Sequence, residues 1–134
     1  MVRDDLIKLA LHVREKSYSP YSGFKVGAAL LADDGRIFTG CNVENAAFSP
    51  TNCAERTAFF KAVSEGARKF TAIAVCGGHD EEPEECFPCG VCRQVMVEFC
   101  DPEAFEVIVV TSSGSSETYL LKELMPKAFS PLFR

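Results

Sequence analysis

Apolar residues recur at helical spacing in three segments of this chain. The first covers residues 4–16 and predicts an amphipathic helix whose inner face carries Leu6, Leu9, Ala10 and Val13. A second helix is predicted over residues 53–66, ending at Gly66, a residue that commonly follows the last helical turn. A third is predicted to begin near Gly90, just after a proline.

Segments between these helices have the composition of β-strands. "FKVGAALLA" and "RIFTGCNVE" flank an Asp-Gly pair, which is typical of a tight hairpin turn. "FTAIAVC" and "FEVIVVTS" are apolar throughout, as expected for strands that are buried on both faces. "ETYLLKELMP" predicts an edge strand that runs into a short helix.

The order of these elements contains two β-α-β crossovers. Such crossovers place helices on both faces of a sheet, so the pattern predicts an α/β fold. We expect a three-layer α/β/α sandwich with a mixed sheet of about five strands. The length of 134 residues, with 47% hydrophobic and 25% charged residues, indicates a single domain spanning 1–134.

The net charge of −5, without a basic stripe, argues against a nucleic-acid partner but leaves a small polar substrate open. No apolar run approaches the ~18 residues of a membrane span, which argues against a membrane partner. The N-terminal segment also lacks the basic start and unbroken apolar stretch of a signal peptide. We therefore expect a cytoplasmic protein.

The seven cysteines are an odd number, which together with the missing signal peptide argues against a disulfide framework. Cys89 and Cys92 form a CxxC pair at the predicted start of the third helix. Three hypotheses follow from this pair alone: half of a zinc site, a redox dithiol, or a chance pair of buried thiols.

Cys53, which opens the second helix, is the best candidate for a further zinc ligand. Helix N-termini favour the thiolate that metals require. Three thiolates would leave one tetrahedral position for water, as in catalytic zinc sites, whereas a structural site is closed by a fourth side chain. His12, on the first helix, and His79, in an acidic loop, are the weaker candidates for that fourth ligand.

Glu55 follows Cys53 by two residues and allows two interpretations. An acidic residue in the first turn complements the helix dipole, whatever the function of the protein. Alternatively, its carboxylate contacts a zinc-bound water. Two residues apart is ~200° around a regular helix, so the two side chains can converge only at the helix end.

"CAE" followed by "PCGVC" resembles the signature of zinc-dependent cytidine and deoxycytidine deaminases, with cysteine in place of the histidine of one variant. "YSPYSGFKVGAAL", "GCNVENAAFSPTNCAERTAFFKAVSEG" and "MPKAFSP" also resemble segments of this family. The form is similar to the small homotetrameric nucleoside deaminases. The resemblance implies hydrolysis of cytidine and 2′-deoxycytidine to uridine and 2′-deoxyuridine, with release of ammonia, in pyrimidine salvage.

The resemblance also implies a role for each residue of the motif. Cys53, Cys89 and Cys92 would hold one zinc ion per chain. Glu55 would move protons between the attacking water, ring nitrogen N3 and the departing amino group. Arg56 would hydrogen-bond the ligand sulfurs and draw negative charge off the metal.

Further residues match positions that bind the nucleoside in this family. The resemblance implies that Asn42 and Glu44 contact the sugar hydroxyls and that Phe24 packs against the nucleoside. It also implies that the backbone of Ala54 recognises the base and that Phe129 stacks on the pyrimidine of a neighbouring subunit. The active sites would then be shared between subunits. Phe48 departs from the pattern, because relatives commonly carry tyrosine there, and the change removes one polar contact.

Other functions are left open by the sequence. A deaminase of a modified cytosine nucleoside, such as blasticidin S, would share the zinc chemistry and differ in the sugar-side pocket. Asn42 and Glu44 together favour a plain ribose. A non-catalytic zinc-stabilised module would have no need of Glu55, and a redox dithiol would hold no stoichiometric metal. A polynucleotide editor is disfavoured by the acidic net charge.

Overall fold

The computed structural model describes residues 2–130. It contains four α-helices and five β-strands in these residues, with a 3-10 turn (Arg14–Lys16) directly after the first helix. In chain order the elements are α1 (Val2–Val13), β1 (Lys25–Ala32), β2 (Ile37–Cys41), α2 (Ala54–Ser64), β3 (Phe70–Gly78), α3 (Gly90–Phe99), β4 (Glu106–Ser112), β5 (Ser115–Leu120) and α4 (Leu121–Leu124).

The five strands form one mixed sheet in the order β2-β1-β3-β4-β5. Strand β1 is antiparallel to both β2 and β3, β3 is parallel to β4, and β4 is antiparallel to β5. Helix α2 connects β2 to β3, and α3 connects β3 to β4, so both predicted crossovers are present. The fifth strand lies at the edge of the sheet and leads directly into α4, as its sequence predicts.

Side chains on the two faces of the sheet form separate cores. On one face, Leu6 and Ala10 of α1 pack with small and branched residues that include Ala74. On the other face, α2 and α3 contribute Phe59 and Met96 to a larger core that includes the next residue of β3, Val75. Alternation along β3 therefore supplies both cores, and the expectation of an α/β/α sandwich is confirmed.

The observed helix bounds differ slightly from the predicted ones. Helix α1 ends at Val13 and tightens into the 3-10 turn, where the sequence pattern extends the α-helix to residue 16. Helix α2 begins at Ala54, because Cys53 has an extended backbone (φ −77°, ψ 156°) and serves as its N-cap. Gly66, at φ 100°, lies just beyond the helix in the left-handed region that favours glycine.

Gly40 allows α2 to lie unusually close to strand β2. A Cβ atom at this position would lie 2.6 Å from both the Ala54 carbonyl oxygen and the Ala58 nitrogen. The absence of a side chain therefore sets the position of the first turn of α2 against the sheet.

In residues 2–130, no helix combines the length and the hydropathy that a membrane crossing requires.

Candidate metal centre

Three thiols converge at the ends of two neighbouring helices. Cys53 is the N-cap of α2, Cys89 is the N-cap of α3, and Cys92 lies in the first turn of α3. Their sulfur atoms all lie within 4.8 Å of one another. The Sγ of Cys89 is 3.6 Å from that of Cys53 and 3.6 Å from that of Cys92.

This spacing fits a tetrahedral zinc ion. With Zn–S bonds of ~2.3 Å, two ligand sulfurs of a tetrahedron lie about 3.8 Å apart. A disulfide would require ~2.05 Å, and all three cysteines are free thiols. A CxxC redox pair needs only two thiols, so the position of Cys53 favours metal binding over the redox hypothesis.

Neither histidine joins the three sulfurs. His12 is exposed on α1, and His79 Nδ1 lies 3.1 Å from a carboxylate oxygen of Glu84. Among residues 2–130, the three cysteines are the one cluster of His, Cys, Asp and Glu side chains that could hold a metal ion. A trio of protein ligands leaves one corner of the tetrahedron for water or substrate.

The surroundings of Cys53 stabilise its thiolate. The pKa of Cys53 is lowered to about 5, mainly because its sulfur accepts a hydrogen bond from the Cys92 thiol. Partial burial opposes this shift, and Arg56 adds to it. The Arg56 Nη2 atom lies 3.3 Å from Cys53 Sγ. The hydrogen bond that the Cys92 thiol donates to Cys53 raises the pKa of Cys92, because the proton is held between the two sulfurs. These contacts favour the thiolate of Cys53, which is the form that binds a metal.

Glu55 is a buried acid beside these thiols. This residue, only 3% exposed, belongs to the first turn of α2 and lines the same cavity as Cys53. Burial, supported by the negative charge of Cys53, raises the pKa of Glu55 to about 7. A carboxyl group with this pKa can both accept and donate a proton at neutral pH.

A cavity of about 260 Å³ opens beside Glu55. Seven residues that the sequence singled out line it: Phe24, Asn42, Glu44, Cys53, Ala54, Glu55 and Cys89. Six others were not predicted: Ser22, Val26, Thr51, Asn52, Cys86 and Phe87. All six lie within three residues of a predicted site residue, so extending each motif by three residues on either side would have found them.

Asn42 and Glu44 both hold the segment that carries Phe24. Asn42 donates from Nδ2 to the Phe24 carbonyl oxygen at 2.8 Å and accepts at Oδ1 from the Val26 amide at 2.9 Å. Glu44 accepts from the backbone amides of Tyr21 and Ser22 at 3.0 and 3.1 Å. Both residues line the cavity, and their contacts to a sugar stay a prediction.

Phe129 lies away from this cavity in its own chain. Its side chain is 82% exposed, and its carbonyl oxygen accepts a hydrogen bond from Gln94 Nε2 at 2.9 Å. The prediction that Phe129 serves a neighbouring subunit therefore remains a prediction.

A second cavity, of about 490 Å³, lies near Arg14 and Lys25 and is lined by charges of both signs, with no thiol.

Comparison with known proteins places the site in the class of zinc-dependent hydrolytic deaminases. The family model for the cytidine and deoxycytidylate deaminase zinc-binding region matches residues 2–109. A cytidine deaminase of Sporosarcina psychrophila is 52% identical over 127 residues, covering 95% of this chain and 90% of that protein. Another, from Halalkalibacterium halodurans, is 48% identical over 130 residues, covering 97% and 96%.

Solved structures agree with the sequence matches. A crystal structure of cytidine deaminase from Burkholderia pseudomallei has a TM-score of 0.87 at 48% identity, covering 96% of this chain and 100% of that chain. A cytidine deaminase structure from Mycobacterium tuberculosis has a TM-score of 0.81 at 36% identity, covering 96% and 98%. The chain belongs to the zinc-dependent cytidine deaminase family, and it is a hydrolytic enzyme.

Proposed function

We propose that this enzyme hydrolyses cytidine and 2′-deoxycytidine to uridine and 2′-deoxyuridine, releasing ammonia. The observation that carries the proposal is the placement of three thiols at zinc spacing beside a buried carboxyl group, all at one cavity. The similar proteins from S. psychrophila and H. halodurans are both named cytidine deaminase.

Glu55 is the proton carrier in this reaction. A zinc ion on the three thiolates would supply a water whose pKa is lowered toward ~7. Glu55 accepts a proton from the attacking water on its carboxylate and delivers it to ring nitrogen N3. It then accepts the remaining proton of the hydroxyl group added at C4 and passes it to the amino group, which leaves as ammonia. Its pKa of about 7 suits both directions of transfer.

The cavity residues orient the nucleoside. Phe24 packs against it, and the amide of Ala54, one of the first-turn N–H groups without a partner in the helix ladder, reads the base. Glu44 and Asn42 face the sugar. An ionised Glu44 supports this role, because hydrogen bonds from Ser22 hold its pKa below the usual range and a carboxylate accepts several hydroxyl donors.

We further propose a cytoplasmic homotetramer that acts in pyrimidine salvage. Phe129 would stack on the pyrimidine in a neighbouring subunit's cavity, which accounts for a large apolar side chain that is 82% exposed. Phe48 is also exposed, at 83%, and offers a partner only apolar surface where tyrosine would add a hydroxyl. Sedimentation equilibrium of the wild type and of Phe129→Ser, with cytidine turnover of each, tests this arrangement.

The substrate is tested by measuring ammonia release from cytidine, 2′-deoxycytidine and blasticidin S, alongside zinc content per chain. We expect one zinc per chain and turnover of the two simple nucleosides. Preferential turnover of blasticidin S would contradict the proposed substrate. Reversible oxidation of Cys89 with Cys92, in protein without stoichiometric zinc, would contradict the metal site itself.

A further inference from the structure

Residues 79–85 form an acidic strap that runs behind one wall of the cavity. Three separate contacts hold it. Arg14, a buried arginine, donates from Nη1 to the Gly77 carbonyl oxygen at 3.2 Å and from Nη2 to the Glu81 carbonyl oxygen at 2.8 Å. The carboxylate of Glu82 accepts from the amide and hydroxyl of Ser113, both at 2.9 Å.

The third contact is a closed turn at the start of the strap. The Glu84 amide donates to the Gly77 carbonyl oxygen at 2.8 Å. The carboxylate of the same residue accepts from the backbone amide of His79 at 3.0 Å and lies 3.1 Å from His79 Nδ1. One carboxylate therefore holds His79 both by its backbone amide and by one ring nitrogen, although the side chain is half exposed.

That ring contacts the cavity wall. Its centroid lies 5.0 Å from the centroid of Phe24, and the ring planes meet at 77°, an edge-to-face arrangement. Phe24 lines the cavity and lies across from Gly77, where an added Cβ would come within 2.9 Å of its Cε2 atom. Phe24 is thus confined between the sheet and the strap, and only His79 supplies the described aromatic contact on the strap side.

We propose that His79 is a positioning residue for nucleoside binding: it acts through Phe24, and Glu84 and the strap fix it in place. The inference rests on the proposed function, because it requires Phe24 to contact the nucleoside. A ring that is packed before substrate arrives loses less rotational freedom on binding, so the strap contributes to affinity. The chemistry at Glu55 and the three thiols does not depend on it.

The test compares four variants of the full-length zinc-loaded enzyme. His79→Ala removes the contact with Phe24, and His79→Phe keeps an aromatic ring there. Glu84→Ala releases His79 without changing it. Asp80→Ala is the control: it removes one negative charge from the strap, and the Asp80 side chain makes none of the described hydrogen bonds.

Two readouts separate positioning from general destabilisation. The first is the Kd for uridine by isothermal titration calorimetry, which needs no turnover, and the second is kcat and KM for cytidine. We expect His79→Ala to raise both Kd and KM about 3- to 10-fold, with kcat within about 2-fold and zinc content unchanged, since edge-to-face contacts have this magnitude. Glu84→Ala and His79→Phe each lose the contact between Glu84 and the ring at position 79 but keep an aromatic ring beside Phe24, so both should give smaller rises. Asp80→Ala should stay near the wild type.

Three results would overturn the inference. One is an unchanged Kd and KM in His79→Ala, while the wild type binds uridine and deaminates cytidine normally. Another is an equal loss in His79→Phe and His79→Ala, which would mean that the ring contact is irrelevant. Wild-type protein that neither binds uridine nor releases ammonia would instead contradict the proposed function, and the inference would fail with it.

Discussion

Arg56 Nη2 lies 3.3 Å from the Sγ of Cys53, within the first turn of α2. A cation at a helix N-terminus is ordinarily unfavourable, because that end carries partial positive charge. Here the thiolate of Cys53 offsets the cost. Three thiolates on a divalent ion leave the cluster with a net charge of about −1, and a guanidinium on one sulfur draws part of that charge away from the metal.

Replacing Arg56 by glutamine should therefore weaken the metal centre without unfolding the chain. We expect a loss of about 10- to 100-fold in zinc affinity or in kcat. Competition with a chromogenic chelator and steady-state kinetics measure the two quantities. Arg36→Gln removes an arginine that pairs with Asp34 at the surface, and it should leave both values unchanged. Equal behaviour of the two variants would exclude the proposed role of Arg56.

Removal of one sulfur should abolish stoichiometric zinc. Cys89→Ala leaves two thiol ligands at the site. Catalytic zinc sites use three protein ligands, so two should not hold the ion tightly. Cys41→Ser is the matched control, because Cys41 only donates to the Lys16 carbonyl oxygen, at 3.4 Å. Elemental analysis after dialysis should give about one zinc per chain for the control and almost none for Cys89→Ala. A full complement of zinc in Cys89→Ala would refute the three-sulfur site.

Cys86 lines the cavity and should be chemically inert despite its position. Burial, with the nearby negative charges of Glu55 and Cys53, raises the pKa of Cys86 to about 12. Thiolate is the reactive form, so at pH 8 this thiol should react with iodoacetamide far more slowly than a free cysteine of ordinary pKa. Mass spectrometry of each cysteine peptide should show the rate rising about tenfold per pH unit up to pH ~11. Rapid, pH-independent labelling would contradict this account.

Gly40 and Gly90 provide a matched pair of glycine substitutions near the site. Gly40→Ala places a Cβ 2.6 Å from the backbone of α2, so we expect it to lower the free energy of unfolding by about 1–3 kcal/mol. Gly90→Ala meets no heavy atom within 4 Å in the first turn of α3, and should be neutral or stabilising by up to about 1 kcal/mol. Urea denaturation of both variants measures the difference, and equal midpoints would show that the close approach of α2 is unimportant.

Much of the fold can be predicted from local sequence patterns. The wholly apolar stretches that became β3 and β4 are short and bounded by breakers, so their burial in the middle of the sheet follows from composition alone. The metal ligands could be predicted because each thiol sits at a helix start, where the required thiolate is stabilised. Helix ends were less predictable: Cys53, predicted as the first residue of the second helix, has the extended backbone of an N-cap, and α2 begins at Ala54.

Contacts between distant segments could not be read from the sequence. The acidic segment after β3 is most simply interpreted as a solvated connection, yet Arg14 and Ser113 hold it from two other parts of the chain. Similarly, nothing local indicates that Asn42 bonds the backbone on both sides of Lys25, at Phe24 and Val26. These contacts join residues more than ten positions apart, and sequence periodicity carries no information about such pairs.

The central claim is that Glu55 carries protons for a reaction at a three-sulfur zinc site. The most direct test is the loss of cytidine absorbance, measured with zinc content per chain, for the wild type, Glu55→Gln and the control Glu65→Gln at the exposed end of the same helix. We predict one zinc in each protein and a decrease in kcat of at least about 10²-fold in Glu55→Gln alone. Undiminished turnover by Glu55→Gln would contradict the account.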